Sequence, residues 1–268
     1  MHASVLKLLT VYLRCFLACV TLALCLGPRM LSGKEISVQD VSVATVDRQV
    51  PIRLFPSAED GPHPAIVLLH GGSGYHAYPH LYASYATALA AHGYNVYAVM
   101  YYDEADEDTL RTLEPAGRQA WYARRLPRWI NTVRETLGYI AQQPATDAHR
   151  LGLLGFSQGG SIAVGVAGLD HRIRALGVVY GWMPAAVRGT MERLPPTLIL
   201  HGDADTAVGV KEAYALESFL KQRAIAYEMK IYVGGRHGFD ANPISLYAQD
   251  ARQRTLDFFD ARLMRRVQ

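Results

Sequence analysis

Hydrophobic residues recur along this chain with two different periods. Residues 36–46 and 50–55 alternate apolar and polar positions and are rich in β-branched side chains, with Asp47-Arg48 between them. That pattern predicts two antiparallel strands joined by a turn at a sheet edge. Ala65-Ile66-Val67-Leu68-Leu69 is instead continuously apolar, as a strand covered on both faces must be, and predicts a central parallel strand. Further strands are expected at residues 94–101, 149–155, 173–180, 197–200 and 227–233. Between them, helical periodicity marks residues 81–92, 121–143, 158–167, 210–223 and 244–265. Pro127 predicts a break near the start of the long second helix, with a separate turn or short helix over residues 118–126. Strands separated by helices imply βαβ units, hence an α/β fold with a mostly parallel central sheet and helices on both faces.

The first 33 residues do not fit this pattern. Lys7 and Arg14 precede an uncharged apolar stretch at residues 15–26, followed by Gly27, Pro28 and Arg29. This is the layout of a secretory signal, and the stretch is short for a bilayer-spanning helix, which needs roughly 20 apolar residues. Export with cleavage to the periplasm or medium is the first expectation, an uncleaved membrane anchor the second, and a cytosolic apolar extension the third. Residues 34–268 are then one catalytic domain, a size at which a single buried core is ordinary. Cys15, Cys19 and Cys25 all lie in the first segment. The domain therefore has neither a disulfide nor a cysteine nucleophile.

Charge narrows the field further. The formal net charge is +3 and the Lys and Arg residues are dispersed, so nucleic acid is not an expected partner. Asp103-Glu104-Ala105-Asp106-Glu107-Asp108 reads as a solvated loop, its carboxylates not spaced to converge on one ion, and no metal is predicted.

Gly155-Phe156-Ser157-Gln158-Gly159-Gly160 follows an apolar strand and opens a helix, which is the context of a G-x-S-x-G nucleophile elbow. Such a turn strains the serine backbone and lifts its hydroxyl over the sheet edge. A serine alcohol needs a base, and His237 in Gly234-Gly235-Arg236-His237-Gly238-Phe239 follows the last strand on a glycine-rich loop. His70 and His201 compete, but both sit in turns that precede any acid placed in the order Ser, Asp, His. The imidazole needs a carboxylate to fix its tautomer. Asp205 lies in the right interval, whereas Asp203 is better suited to shaping the turn and Asp240 follows the histidine too closely. Negative charge on a tetrahedral intermediate needs N–H donors, for which the backbone of Gln158 and of Gly72 or Ser73, in His70-Gly71-Gly72-Ser73-Gly74, is placed. Tyr101, Tyr102, Trp121 and Trp182 are candidate apolar walls of a substrate pocket, with Tyr102 and Trp182 foremost.

Over residues 36–265 the chain resembles the dienelactone hydrolase family of α/β-hydrolases. The likeness is carried by GFSQGG, by Tyr180-Gly181, by GDADTAV with Asp205, and by GGRHGF with His237. The resemblance implies the α/β-hydrolase fold with an eight-stranded type of sheet, a catalytic triad, no cofactor, and hydrolysis of esters, lactones or related acyl compounds. One departure shapes the expectation: the enzymes that name the family use cysteine where this chain has Ser157, which points to the serine esterase branch rather than to dienelactone itself. The expected partner is a small-molecule ester or lactone, with membrane contact only through a retained N-terminal segment. Two other functions remain open at this point: a serine peptidase for short peptides, and a noncatalytic binding protein on the same fold.

Overall fold

The computed structural model describes residues 37–189 and 191–264. The signal or anchor expected at residues 1–33, and with it all three cysteines, lies outside the described residues. Eight strands form one sheet: β1 Gln39–Ala44, β2 Gln49–Phe55, β3 His63–Leu69, β4 Asn95–Val99, β5 Thr146–Phe156, β6 Ile173–Val179, β7 Thr197–Gly202 and β8 Tyr227–Tyr232. Their order is β1-β2-β4-β3-β5-β6-β7-β8. The first two strands pair antiparallel at one edge, β2 runs antiparallel to β4, and every pairing from β4 through β3 to β8 is parallel. The mostly parallel sheet read from the sequence is the one observed.

Among the described residues seven α-helices accompany the strands: α1 Pro79–Ala91, α2 Glu104–Thr112, α3 Pro115–Ile140, α4 Gln158–Leu169, α5 Ala185–Arg188, α6 Lys211–Gln222 and α7 Leu246–Phe259. Side chains of β3 alternate between two cores, as the two-residue period of a strand requires. Ala65, Val67 and Leu69 join α3, α4 and α6 on one face, while Ile66 and Leu68 join α1 and α7 on the other. A continuous apolar run is thus what a doubly covered strand needs.

Two expectations are corrected. The acidic segment is not a loop but the start of α2. Asp103 caps the helix by accepting the Asp106 N–H at 2.7 Å, and Asp106 accepts the Asp103 N–H in return. Carboxylates in a first turn also meet the positive end of the helix dipole. Asp106 is buried, taking hydrogen bonds from Arg125 Nε at 2.6 Å and Trp129 Nε1 at 2.8 Å. Nor does Pro127 break the chain, since α3 is continuous through it. The proline is exposed, and so is Ala123, the residue four back whose carbonyl loses a helical partner to the proline at an accessible place.

Candidate active site

Parallel strands end on one edge of the sheet, and the loops that leave β3, β5, β7 and β8 there converge. Between β5 and α4 the backbone turns so tightly that Ser157 takes φ 52° and ψ −116°, a conformation side-chain-bearing residues rarely adopt. Both flanking glycines are required by close approach. A Cβ on Gly155 would strike the backbone of Gly159 and Gly160, and one on Gly159 would strike the carbonyls of Leu69 and His70. The elbow is held by Ser157 N–H donating to Val179 O at 2.9 Å and Ser161 N–H to Ser157 O at 3.1 Å.

Asp205 follows β7, and its side chain is fully buried. Its Oδ1 accepts the N–H groups of Ala207 at 2.9 Å and Val208 at 2.8 Å, which fix the carboxylate plane. Oδ2 lies 2.7 Å from His237 Nδ1, so that nitrogen carries the proton and donates it. Nε2 is then the acceptor, and Ser157 Oγ stands 2.9 Å away. Three residues distant in sequence are therefore joined in one line from a buried carboxylate through an imidazole to a hydroxyl. Such a line can draw a proton from Oγ as it attacks and stabilise the resulting imidazolium.

The rival residues have other work. Asp203 accepts the Gly234 N–H at 2.6 Å and ties the acid loop to the histidine loop. His201 is buried, its Nε2–H donating to Val208 O at 2.8 Å, and burial lowers its pKa. His70 is buried too, with Nδ1–H donating to Gly71 O at 2.8 Å; loss of hydration pushes its pKa down to about 4, so the ring is neutral. Asp240 lies under the site, accepting from Tyr85 Oη at 2.7 Å and Tyr180 Oη at 3.0 Å. Its pKa is raised by burial, against the pull of the two phenols. Tyr180, itself at φ 40°, packs its ring 4.8 Å from that of His237, so Asp240 supports the histidine from behind. Sequence reasoning missed this pair, although Tyr180-Gly181 was in view.

The loop after β3 lies against the elbow, with Gly71 placed so that a Cβ there would sit 3.6 Å from Ser157 Cβ. Gly71 N–H donates to Tyr82 Oη at 2.9 Å. The N–H groups of Gly72 and Ser73 have no partner among the described residues. Gln158 opens α4, where an N–H has no intrahelical acceptor. Outside this loop lies a cavity of about 270 Å³, walled by Tyr102 and Leu110 and rimmed by His76, Glu107, Arg111 and Arg118. Tyr102 thus reaches the cavity, but it is almost wholly buried and its hydroxyl is engaged with Gly72 O at 3.2 Å. Trp182 is half-buried and is not part of that wall. Tyr101 and Trp121 belong to the core, Tyr101 stacking on His70 at 4.0 Å and Trp121 packing edge-on to Trp129 at 5.3 Å.

Comparison with known proteins agrees with this architecture. Rat (Rattus norvegicus) acyl-coenzyme A thioesterase 1 is 29% identical over 240 residues, covering 82% of this chain and 49% of that protein. The mouse (Mus musculus) carboxymethylenebutenolidase homolog is 29% identical over 160 residues, 55% of this chain and 64% of its own length. The chain thus spans about half to two thirds of the length of these curated relatives. The crystal structure of a dienelactone hydrolase, named as putative, from Klebsiella pneumoniae subsp. pneumoniae superposes with a TM-score of 0.70 at 20% identity, over 84% of this chain and 99% of that one, and shares the fold. Residues 52–263 match the profile of the dienelactone hydrolase family, and the chain belongs to that family.

Proposed function

We propose that this chain is a serine hydrolase that cleaves carboxylic esters or lactones through an acyl-enzyme on Ser157. The observation that carries the reading is the unbroken series from Asp205 Oδ2 to His237 Nδ1 at 2.7 Å and from His237 Nε2 to Ser157 Oγ at 2.9 Å. Ser157 Oγ attacks the acyl carbon while Nε2 takes the hydroxyl proton, and the tetrahedral oxyanion is met by the N–H of Gln158 and of the Gly72–Ser73 stretch. When the intermediate collapses, the leaving oxygen departs with the proton from the imidazolium. Water then attacks the acyl-enzyme, gives its proton to Nε2, and the acid leaves as Oγ is reprotonated. Asp205 keeps the ring in the tautomer this cycle needs. The name of the rat relative adds thioesters to the compounds worth testing, since the same attack on the acyl carbon can expel a thiol in place of an alcohol.

Ser157→Ala tests the reading directly. The variant is expected to fold as the wild type does and to lose turnover of p-nitrophenyl esters, lactones and acyl-CoA thioesters alike. A fluorophosphonate probe should label the wild type and not the variant. Turnover retained by Ser157→Ala, or an unlabelled wild type, sinks the proposal.

A further inference from the structure

The loop Gly71-Gly72-Ser73-Gly74 has three glycines in four residues and so has little backbone restraint of its own. Its first two carbonyls are nevertheless each held by a pair of hydrogen bonds. Gly71 O accepts Gly74 N–H at 3.0 Å and His70 Nδ1–H at 2.8 Å. Gly72 O accepts Tyr102 Oη–H at 3.2 Å and Tyr122 Oη–H at 3.1 Å. The two tyrosines come from different places, Tyr102 from the segment after β4 and Tyr122 from α3.

In a trans peptide the C=O and N–H point opposite ways, so holding a carbonyl aims the next N–H. The bond from Gly74 to Gly71 closes a β-turn whose central peptide is Gly72–Ser73. That central peptide is the one whose flip interconverts the two common turn types, and glycine makes such flips easy. Two phenols on Gly72 O oppose the flip. Gly72 also has to be glycine for this contact, because a Cβ there would stand 2.5 Å from Tyr122 Oη.

We infer that Tyr102 and Tyr122 are positioning residues: by donating together to Gly72 O they lock the loop so that its unclaimed N–H groups face the oxyanion formed above Ser157. This rests on the serine hydrolase reading. The phenols are braced in turn, Tyr102 against Trp129 at 4.9 Å and Tyr122 against Trp121 at 5.4 Å. Trp129 is tied through Nε1–H to Asp106, so the acidic start of α2 anchors the device.

The test uses Tyr102→Phe, Tyr122→Phe and the double variant, which keep the rings and remove the hydroxyls. Each hydroxyl lost should lower kcat by about three- to tenfold and the pair by about 30-fold, with KM within about threefold of wild type. Affinity for phenylboronic acid, whose tetrahedral adduct on Ser157 places an oxygen at the oxyanion position, should fall in parallel with kcat. Tyr97→Phe, which removes a buried hydroxyl paired with Thr146, serves as the control and should leave kcat at the wild-type value. Wild-type kcat and boronate affinity in the double variant overturn the inference, and so does a raised KM at unchanged kcat, which would make the tyrosines part of the substrate wall. If circular dichroism finds the double variant unfolded, Tyr122→Phe alone is judged by the same criteria. The two failures stay distinct: turnover surviving in Ser157→Ala removes the underlying reading, whereas a dead Ser157→Ala beside a fully active double variant removes only this one.

Discussion

Asp205→Asn separates a carboxylate that sets a tautomer from one that merely fills space. In the native protein Oδ1 is pinned by two backbone N–H groups, from Ala207 and Val208, while Oδ2 receives the proton on His237 Nδ1. An asparagine can sit there in two ways. With its oxygen kept on the backbone pair, its NH2 faces Nδ1, which must give up its proton and become an acceptor. The ring proton then moves to Nε2, the atom 2.9 Å from Ser157 Oγ, and the imidazole can no longer take the serine proton. Flipped, the NH2 would confront two N–H donors in a fully buried place, at a cost of about 1–3 kcal/mol for each donor left unpaired. The first arrangement wins, so the variant folds with the wrong tautomer. Where this has been tested in serine triads the loss in kcat is about 10⁴-fold, or roughly 5.5 kcal/mol of transition-state stabilisation. The assay is steady-state hydrolysis of a p-nitrophenyl ester, with urea unfolding to show that stability is kept. Asp203→Asn, which touches only the Gly234 N–H, is the internal comparison and should lie within about threefold of wild type. A kcat for Asp205→Asn within tenfold of wild type, or an equal loss in Asp203→Asn, would refute the tautomer argument.

Two further outcomes concern folding. Because the buried imidazole of His70 has its pKa pushed from 6.5 to about 4, the unfolded chain binds a proton in that interval that the folded chain does not. Stability is therefore complete above pH 6.5 and is lost as pH falls toward 4, by about 3 kcal/mol for this group. Urea unfolding across that range should show a shallower decline in His70→Gln than in wild type, and identical slopes would contradict it. At the elbow, Gly159→Ala places a methyl on the carbonyls of Leu69 and His70, which are backbone and cannot swing aside. It should destabilise the protein by about 3 kcal/mol or more, and a midpoint equal to wild type in denaturant would contradict the close approach at Gly159.

What could be read from the sequence, and what could not, divides along one physical line. The elbow was legible because its demands are local: the glycines at 155 and 159 and the apolar strand directly before them lie together in residues 151–159. Asp205 and His237 were legible because each leaves the end of a parallel strand, where strand order brings such loops together. The start of α2 was misread because a run of five carboxylates in six residues looks solvated, although Asp103 and Asp106 stand at the spacing of a capping pair. Pro127 was misread because its effect depends on which side of the helix is wet. The contact of Tyr122 had no signal, and Asp240 was weighed only as a triad member and set aside, since a phenol reaching a carbonyl 50 residues away, or a carboxylate shared by tyrosines at 85 and 180, has no signature in any one segment.

That same division says where the site draws its rigidity. Ser157, Asp205, His237 and Gly72 all lie in turns or loops, and loops rich in glycine are mobile unless something outside them supplies restraint. Here the restraints come from polar contacts made by residues that touch no reacting atom. Asp240 holds Tyr180, whose ring backs His237; Asp203 ties the acid loop to the histidine loop; Tyr102 and Tyr122 hold Gly72. A carboxylate buried as completely as that of Asp240 is unfavourable for stability by itself, and burial raises its pKa even with two phenols donating to it. Its presence beneath the histidine, where an apolar side chain would pack with less penalty, makes sense if fixed geometry at Ser157 matters more to this protein than the last increment of stability.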